Sequence, residues 1–149
     1  MMADMFKKIF FCFLLVAAVS SCKKDDAIDS EIPSIELVSV SSNYIAEGDP
    51  LTFRIKYTDG DGDLGENNAN ANNLFLTDNR VGVTYEYRIQ ELAPSGSSLI
   101  IRGNLDVVLN TTAITNGSNS QNVTYSIYVK DRAGNQSNTV TSSDITIHN

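Results

Sequence analysis

Residues 51–58 read LTFRIKYT, with Leu51, Phe53, Ile55 and Tyr57 alternating against Thr52, Arg54, Lys56 and Thr58. A period of two places one set on each face of an extended chain, so the segment is a half-buried β-strand. The same alternation returns at residues 123–130, where Val123, Tyr125, Ile127 and Val129 are set against Thr124, Ser126, Tyr128 and Lys130. It returns less cleanly at residues 34–40 and at residues 81–92, where Val83, Tyr85, Tyr87 and Ile89 form the inward set. Residues 74–77 make a short strand. Residues 99–109 hold two apolar stretches divided by Gly103 and Asn104, and Val140, Ile145 and Ile147 close the chain. Turn-forming residues separate the runs, and no helical period is visible beyond the first residues. About seven short strands at this spacing predict an all-β fold, an antiparallel β-sandwich of immunoglobulin-like or fibronectin-like topology. A Cys…Trp…Cys signature is missing, which argues against a true immunoglobulin domain.

The amino terminus is of another kind. Lys7 and Lys8 precede an apolar run over residues 9–19, and small residues lead to Cys22. That is the layout of a cleaved export signal, and eleven apolar residues are too few to span a bilayer as a helix. Residues 19–22 (VSSC) resemble a bacterial lipobox, which makes Cys22 the lipidated first residue of the mature chain. The expected organisation is a signal peptide over residues 1–21, a polar flexible tether over residues 22–33 and a β-sandwich over residues 34–149. Cys12 leaves with the signal, so no disulfide or Cys-ligated zinc remains. Loss of Asp4, Lys7 and Lys8 leaves 9 Lys and Arg against 17 Asp and Glu, a formal −8. Such a surface disfavours nucleic acid, whose binding requires cationic side chains against phosphate, and favours cations.

Residues 59–65 read DGDGDLG. Alternating aspartates on a glycine-permitted turn can converge their oxygens on a single point, and Ca²⁺ takes six to eight oxygens. The opening matches an EF-hand loop, but Leu64 stands at the sixth position and Asn70 at the twelfth, and no helix flanks it. Two readings stand: a Ca²⁺ loop of another scaffold, or a solvated turn rich in turn-forming residues. If residues 51–58 and 123–130 are strands B and F, the acidic loop and the DRAGN turn at residues 131–135 lie at one end of the sandwich. Asp59, Asp61, Asp63, Asp131 and Asn135 are then the candidate metal ligands. Glu47 and Asp49 fall at the opposite end and are excluded.

Catalytic residues are not indicated. His148 is the single histidine and is expected at a frayed terminus, so nucleophilic triads have little to build on. Tyr85, Tyr87 and Tyr128 are candidates for a sugar-stacking platform, although the alternation assigns Tyr85 and Tyr87 to the core.

The lipobox, residues 57–65 (YTDGDGDLG) and residues 129–138 (VKDRAGNQSN) together resemble small Bacteroidota lipoproteins carrying one immunoglobulin-like or cadherin-like β-sandwich. Lys23, Lys24, Asp25 and Asp26 after Cys22 resemble the lipoprotein export signal of that phylum. The resemblance implies an outer-membrane lipoprotein, anchored through its lipid and exposed at the cell surface. Its expected role is a non-enzymatic, Ca²⁺-stabilised adhesion or accessory module, with extracellular glycan or protein as partner. The alternative is a glycan-binding module of a polysaccharide-capture system.

Overall fold

The computed structural model describes residues 30–149. Cys22, Lys23, Lys24, Asp25 and Asp26 lie outside these residues, as does the signal segment. The described chain is all-β, with ten strands: β1 (Ser34–Val40), β2 (Tyr44–Ala46), β3 (Leu51–Asp59), β4 (Leu74–Asp78), β5 (Val83–Tyr87), β6 (Ile101–Leu109), β7 (Ser120–Val123), β8 (Tyr125–Val129), β9 (Val140–Thr141) and β10 (Ile145–His148). They form three sheets, in the orders β1-β3-β6, β2-β10-β7 and β5-β4-β8-β9. Every pairing is antiparallel except that of β10 with β2. Among the described residues no helix is long and apolar enough to cross a membrane.

One apolar cluster joins the three sheets in a sandwich-like arrangement. β3 supplies Leu51, Phe53 and Ile55, β4 supplies Leu74 and Leu76, β8 supplies Tyr125, Ile127 and Val129, and β10 supplies Ile145 and Ile147. The Phe53 and Tyr125 rings meet edge to face across it, with centroids 5.2 Å apart, the arrangement that aromatic quadrupoles favour. The alternation read in residues 51–58 and 123–130 is the alternation of burial observed there.

The strand count exceeds seven in part because runs change sheets. The run at residues 120–129 breaks at Thr124: β7 pairs with β10, and β8 pairs with β4 and β9. Asn79 holds the break, its backbone N–H donating to the Thr124 carbonyl at 3.1 Å and its side-chain amide to the Thr124 hydroxyl at 2.9 Å. Gly103, by contrast, does not divide residues 99–109. It lies inside β6, opposite Tyr57 on β3, and a Cβ there would come within 2.9 Å of the Tyr57 ring. Its missing side chain is the slot into which that ring fits.

Two further expectations are corrected. Val83 and Tyr85 are 47% and 36% exposed. β5 is the outermost strand of its sheet, paired only with β4, and its inward face extends past the apolar cluster. Ile89 is buried, but beyond the strand's end. His148 is no frayed end: it pairs with Ala46 and Ser120, and its ring stacks on Tyr44 at 4.2 Å.

Candidate metal centre

β3 ends by carrying Asp59 into the interior, where the residue is 0% exposed. The chain must then turn sharply, and glycine allows it. Gly65 has φ +96°, and a Cβ there would collide with the Gln90 carbonyl oxygen. Gly62 has φ +78° and the same relation to the carbonyl of Leu99. Between them Leu64 is fully buried in the apolar cluster. Its backbone N–H donates to Asp59 Oδ2 at 2.8 Å, and it forms an isolated antiparallel bridge with Asp131. The residue that breaks the EF-hand pattern is thus the anchor of the loop.

Asp131 begins the turn after β8. The turn closes on itself: Asn135 donates its backbone N–H to Asp131 Oδ1 at 2.7 Å and its side-chain amide to Oδ2 at 2.9 Å. Gly134 takes φ +90°, the conformation expected of it. Two backbone N–H groups then join this turn to the acidic loop. Arg132 N–H donates to the Asp63 carbonyl at 3.2 Å, and Ala133 N–H donates to Asp63 Oδ2 at 3.1 Å. At the same end the Gly60 N–H donates to the Ser30 carbonyl at 3.0 Å, where the described chain begins.

Asp59, Asp63 and Asp131 each present one carboxylate oxygen, and the three oxygens lie within 4.8 Å of one another. A cation bound at ~2.3–2.6 Å from each oxygen fits between groups so spaced. Asp59 Oδ1, Asp61 Oδ1 and Asp63 Oδ1 are buried and have no hydrogen-bond partner. An unpaired buried carboxylate oxygen carries a large desolvation penalty, which protonation or a bound cation would relieve. Arg132 relieves little of it. Its guanidinium donates to the carbonyls of Gly65 at 2.9 Å and Gly62 at 3.4 Å, and stands 3.7 Å from Glu91. The carboxylates respond as crowded, dehydrated acids do. Burial, followed by the charges of Asp61, Asp63 and Asp131, pushes Asp59 up to about 6 against the opposing Leu64 N–H bond. Asp63 is raised by burial, then by Asp131 and Asp61, against the Ala133 N–H and Arg132.

The acidic loop and the DRAGN turn meet, as their shared end requires. Asp59, Asp63 and Asp131 converge within ligand distance. Asp61 falls outside that triad but adds a buried, unpartnered oxygen. Asn135 lies at the same end, with its backbone and side-chain nitrogens both donating to Asp131. Glu47 lies at the far end of β3, accepting from the Ile114 N–H at 2.8 Å. Eight residue steps of strand put it about 26 Å away. The sugar platform does not form from the three tyrosines. Tyr85 and Tyr87 pair with Leu76 and Leu74 on the inner face, whereas Tyr128 pairs with Phe75 on the outer one. Tyr128 stacks on Phe75 at 4.7 Å, and Lys130 lies 5.6 Å from the Phe75 ring.

No family model matches the chain, and no curated protein matches it. The functional reading therefore rests on these residues.

Proposed function

We propose that this chain is a non-enzymatic adhesion or accessory binding module, an immunoglobulin-like β-sandwich stabilised by one Ca²⁺ and held at the outer-membrane surface by a lipid on Cys22. The observation that carries the metal reading is the set of three buried, unpartnered carboxylate oxygens beside a triad of oxygens within 4.8 Å. Hard oxygen donors with no thiol or imidazole among them suit Ca²⁺ better than a transition metal. The ligands come from the loop after β3 and the turn after β8, so the ion ties two connections together and its role is structural. The sandwich reading draws support from the separation of β3 and β8 into different sheets that share a core.

Extracellular Ca²⁺ modules bind at ~10⁻⁴–10⁻³ M. A ligand that binds only the native state at tenfold excess over its Kd adds about 1.4 kcal/mol. Thermal unfolding in 5 mM Ca²⁺ (about tenfold above a 0.5 mM Kd) and in EDTA is therefore expected to differ by a few degrees, with heat of binding in calorimetry. Asp61→Asn weakens the response, and Glu47→Gln leaves it unchanged. Identical midpoints with no heat of binding would reduce the loop to a solvated turn.

The anchor is tested separately. Two or more acyl chains, at ~0.8 kcal/mol per buried CH₂, hold a protein to a bilayer without a transmembrane helix. Cys22→Ala is expected to abolish acyl labelling and release the protein from membranes. A variant that remains labelled and membrane-bound rules out Cys22 as the lipid site.

A further inference from the structure

β6 is nine residues long and pairs with β3 along its whole length, from Leu51 opposite Leu109 to Asp59 opposite Ile101, without a register shift. Its other side has no strand beside it among the described residues. Sheet edges are usually blunted by proline, by charged side chains or by a bulge; residues 101–109 contain no proline and no bulge, and their two charges, Arg102 and Asp106, are of opposite sign. Beside this edge lies an apolar groove of 360 Å³, lined by Leu105 and Val107 on one wall and by Leu74, Tyr87, Ile89 and Leu92 on the other.

The exposed residues along the strand carry a pattern. Ile100, Arg102, Asn104, Asp106 and Val108 occupy alternate positions and are all exposed. The order is apolar, cation, amide, anion, apolar, which is self-complementary about Asn104. An antiparallel copy centred there sets Arg102 opposite Asp106 of the second copy, Ile100 opposite its Val108, and Asn104 opposite Asn104. Neighbouring registers that keep the same faces together do worse. Centring on Gly103 sets Ile100 against Asp106, and centring on Leu105 sets Arg102 against Val108. Within its own chain Asp106 is already gripped by Arg54, with two bonds of 2.8 Å. A second guanidinium on its free side continues that row of charges across the junction.

We propose that β6 pairs with β6 of a second copy of this chain, antiparallel about Asn104, to give a two-fold dimer with a continuous six-stranded sheet. The interface is isologous, each rung occurring twice by symmetry except the Asn104–Asn104 rung on the axis. The partner is a second copy because the charge order selects one self-pairing register; an unrelated extended segment on the same edge leaves the chain monomeric.

The test is site-directed cross-linking of the full-length chain. Asn104 residues facing each other across the axis stand about 4.5–5.5 Å apart at Cα, within disulfide reach. Asn104→Cys is therefore expected to give a disulfide-linked dimer on mild oxidation. Lys56→Cys, exposed on β3 one strand further in, is about 14 Å from its counterpart and is expected to remain uncross-linked. The parent chain, whose only cysteines are Cys12 and Cys22, gives the background. Arg102→Glu in the Asn104→Cys chain sets carboxylates against each other and is expected to lower the cross-linked fraction about tenfold, with an unchanged circular dichroism spectrum. Sedimentation showing only monomer, equal cross-linking at Lys56→Cys, or indifference to Arg102→Glu overturns the pairing.

Discussion

In a chelator, the folded protein gains stability as the pH is lowered from 7 to 5. The sign follows from Asp59. Its carboxyl sits at about 6 in the native state, against an ordinary 3.8 in the unfolded chain. Between those values the native state binds more protons than the unfolded state, so stability falls as pH rises through the window. Above about 6 the full penalty is present, and the difference corresponds to ~3 kcal/mol. Asp63 shifts in the same direction and adds to it. Asp106, held below its usual range by hydrogen bonding to Arg54, works in the opposite sense, but only in more acidic solution. Ca²⁺ reverses the picture, because its ligands must be ionised. If the proposed site binds Ca²⁺, the ion is expected to stabilise more at pH 7 than at pH 5. Asp59→Asn removes the ionisable group and is expected to flatten the metal-free pH profile while abolishing the response to Ca²⁺. Metal-free melting temperatures that rise from pH 5 to 7, or that fall equally in the Asp59→Asn variant, contradict this account.

Leu64→Ala is expected to cost 2–5 kcal/mol, the range for truncating a fully buried leucine. Few loop residues in a chain this size carry such a cost, and the reason is local. Leu64 is the only side chain of the DGDGDLG stretch in the apolar cluster, so truncating it removes the loop's only apolar hold on the core. The N–H that reaches Asp59 belongs to the backbone and survives the substitution. Denaturant unfolding is therefore expected to show a large loss of stability, while calorimetry shows Ca²⁺ still binding, more weakly. A loss below about 0.5 kcal/mol, the level of an ordinary surface change, is incompatible with an anchored loop.

Much of this arrangement was legible in the residues, for identifiable reasons. Alternation in β3 and β8 reports burial faithfully because both strands lie inside their sheets or beside a covered face. The meeting of Asp59 and Asp63 with Asp131 follows from connectivity, since antiparallel strands of one sandwich bring such turns to one end. The misreadings have causes as well. Alternation at Val83 and Tyr85 says which side faces inward, but not whether anything covers an outermost strand. Gly103 looks like a breaker in one dimension, and only its register opposite Tyr57 reveals a packing role. Leu64 counted against one metal motif, and nothing local signals that the same side chain pins the loop to the core.

The single parallel pairing among the described residues, β2 with β10, gives them a mechanical direction. The chain comes in at the acidic end near Ser30, and β10 runs toward the opposite end. Tension applied between Ser30 and His148 draws β2 one way along its axis and β10 the other. The three rungs Tyr44–Thr146, Ile45–Ile147 and Ala46–His148 are then loaded together in shear, not peeled apart one after another, and the stacked Tyr44 and His148 rings must slide past each other before they yield. A pull between the two ends of the described chain is thus resisted by side-by-side rungs and not by a zipper.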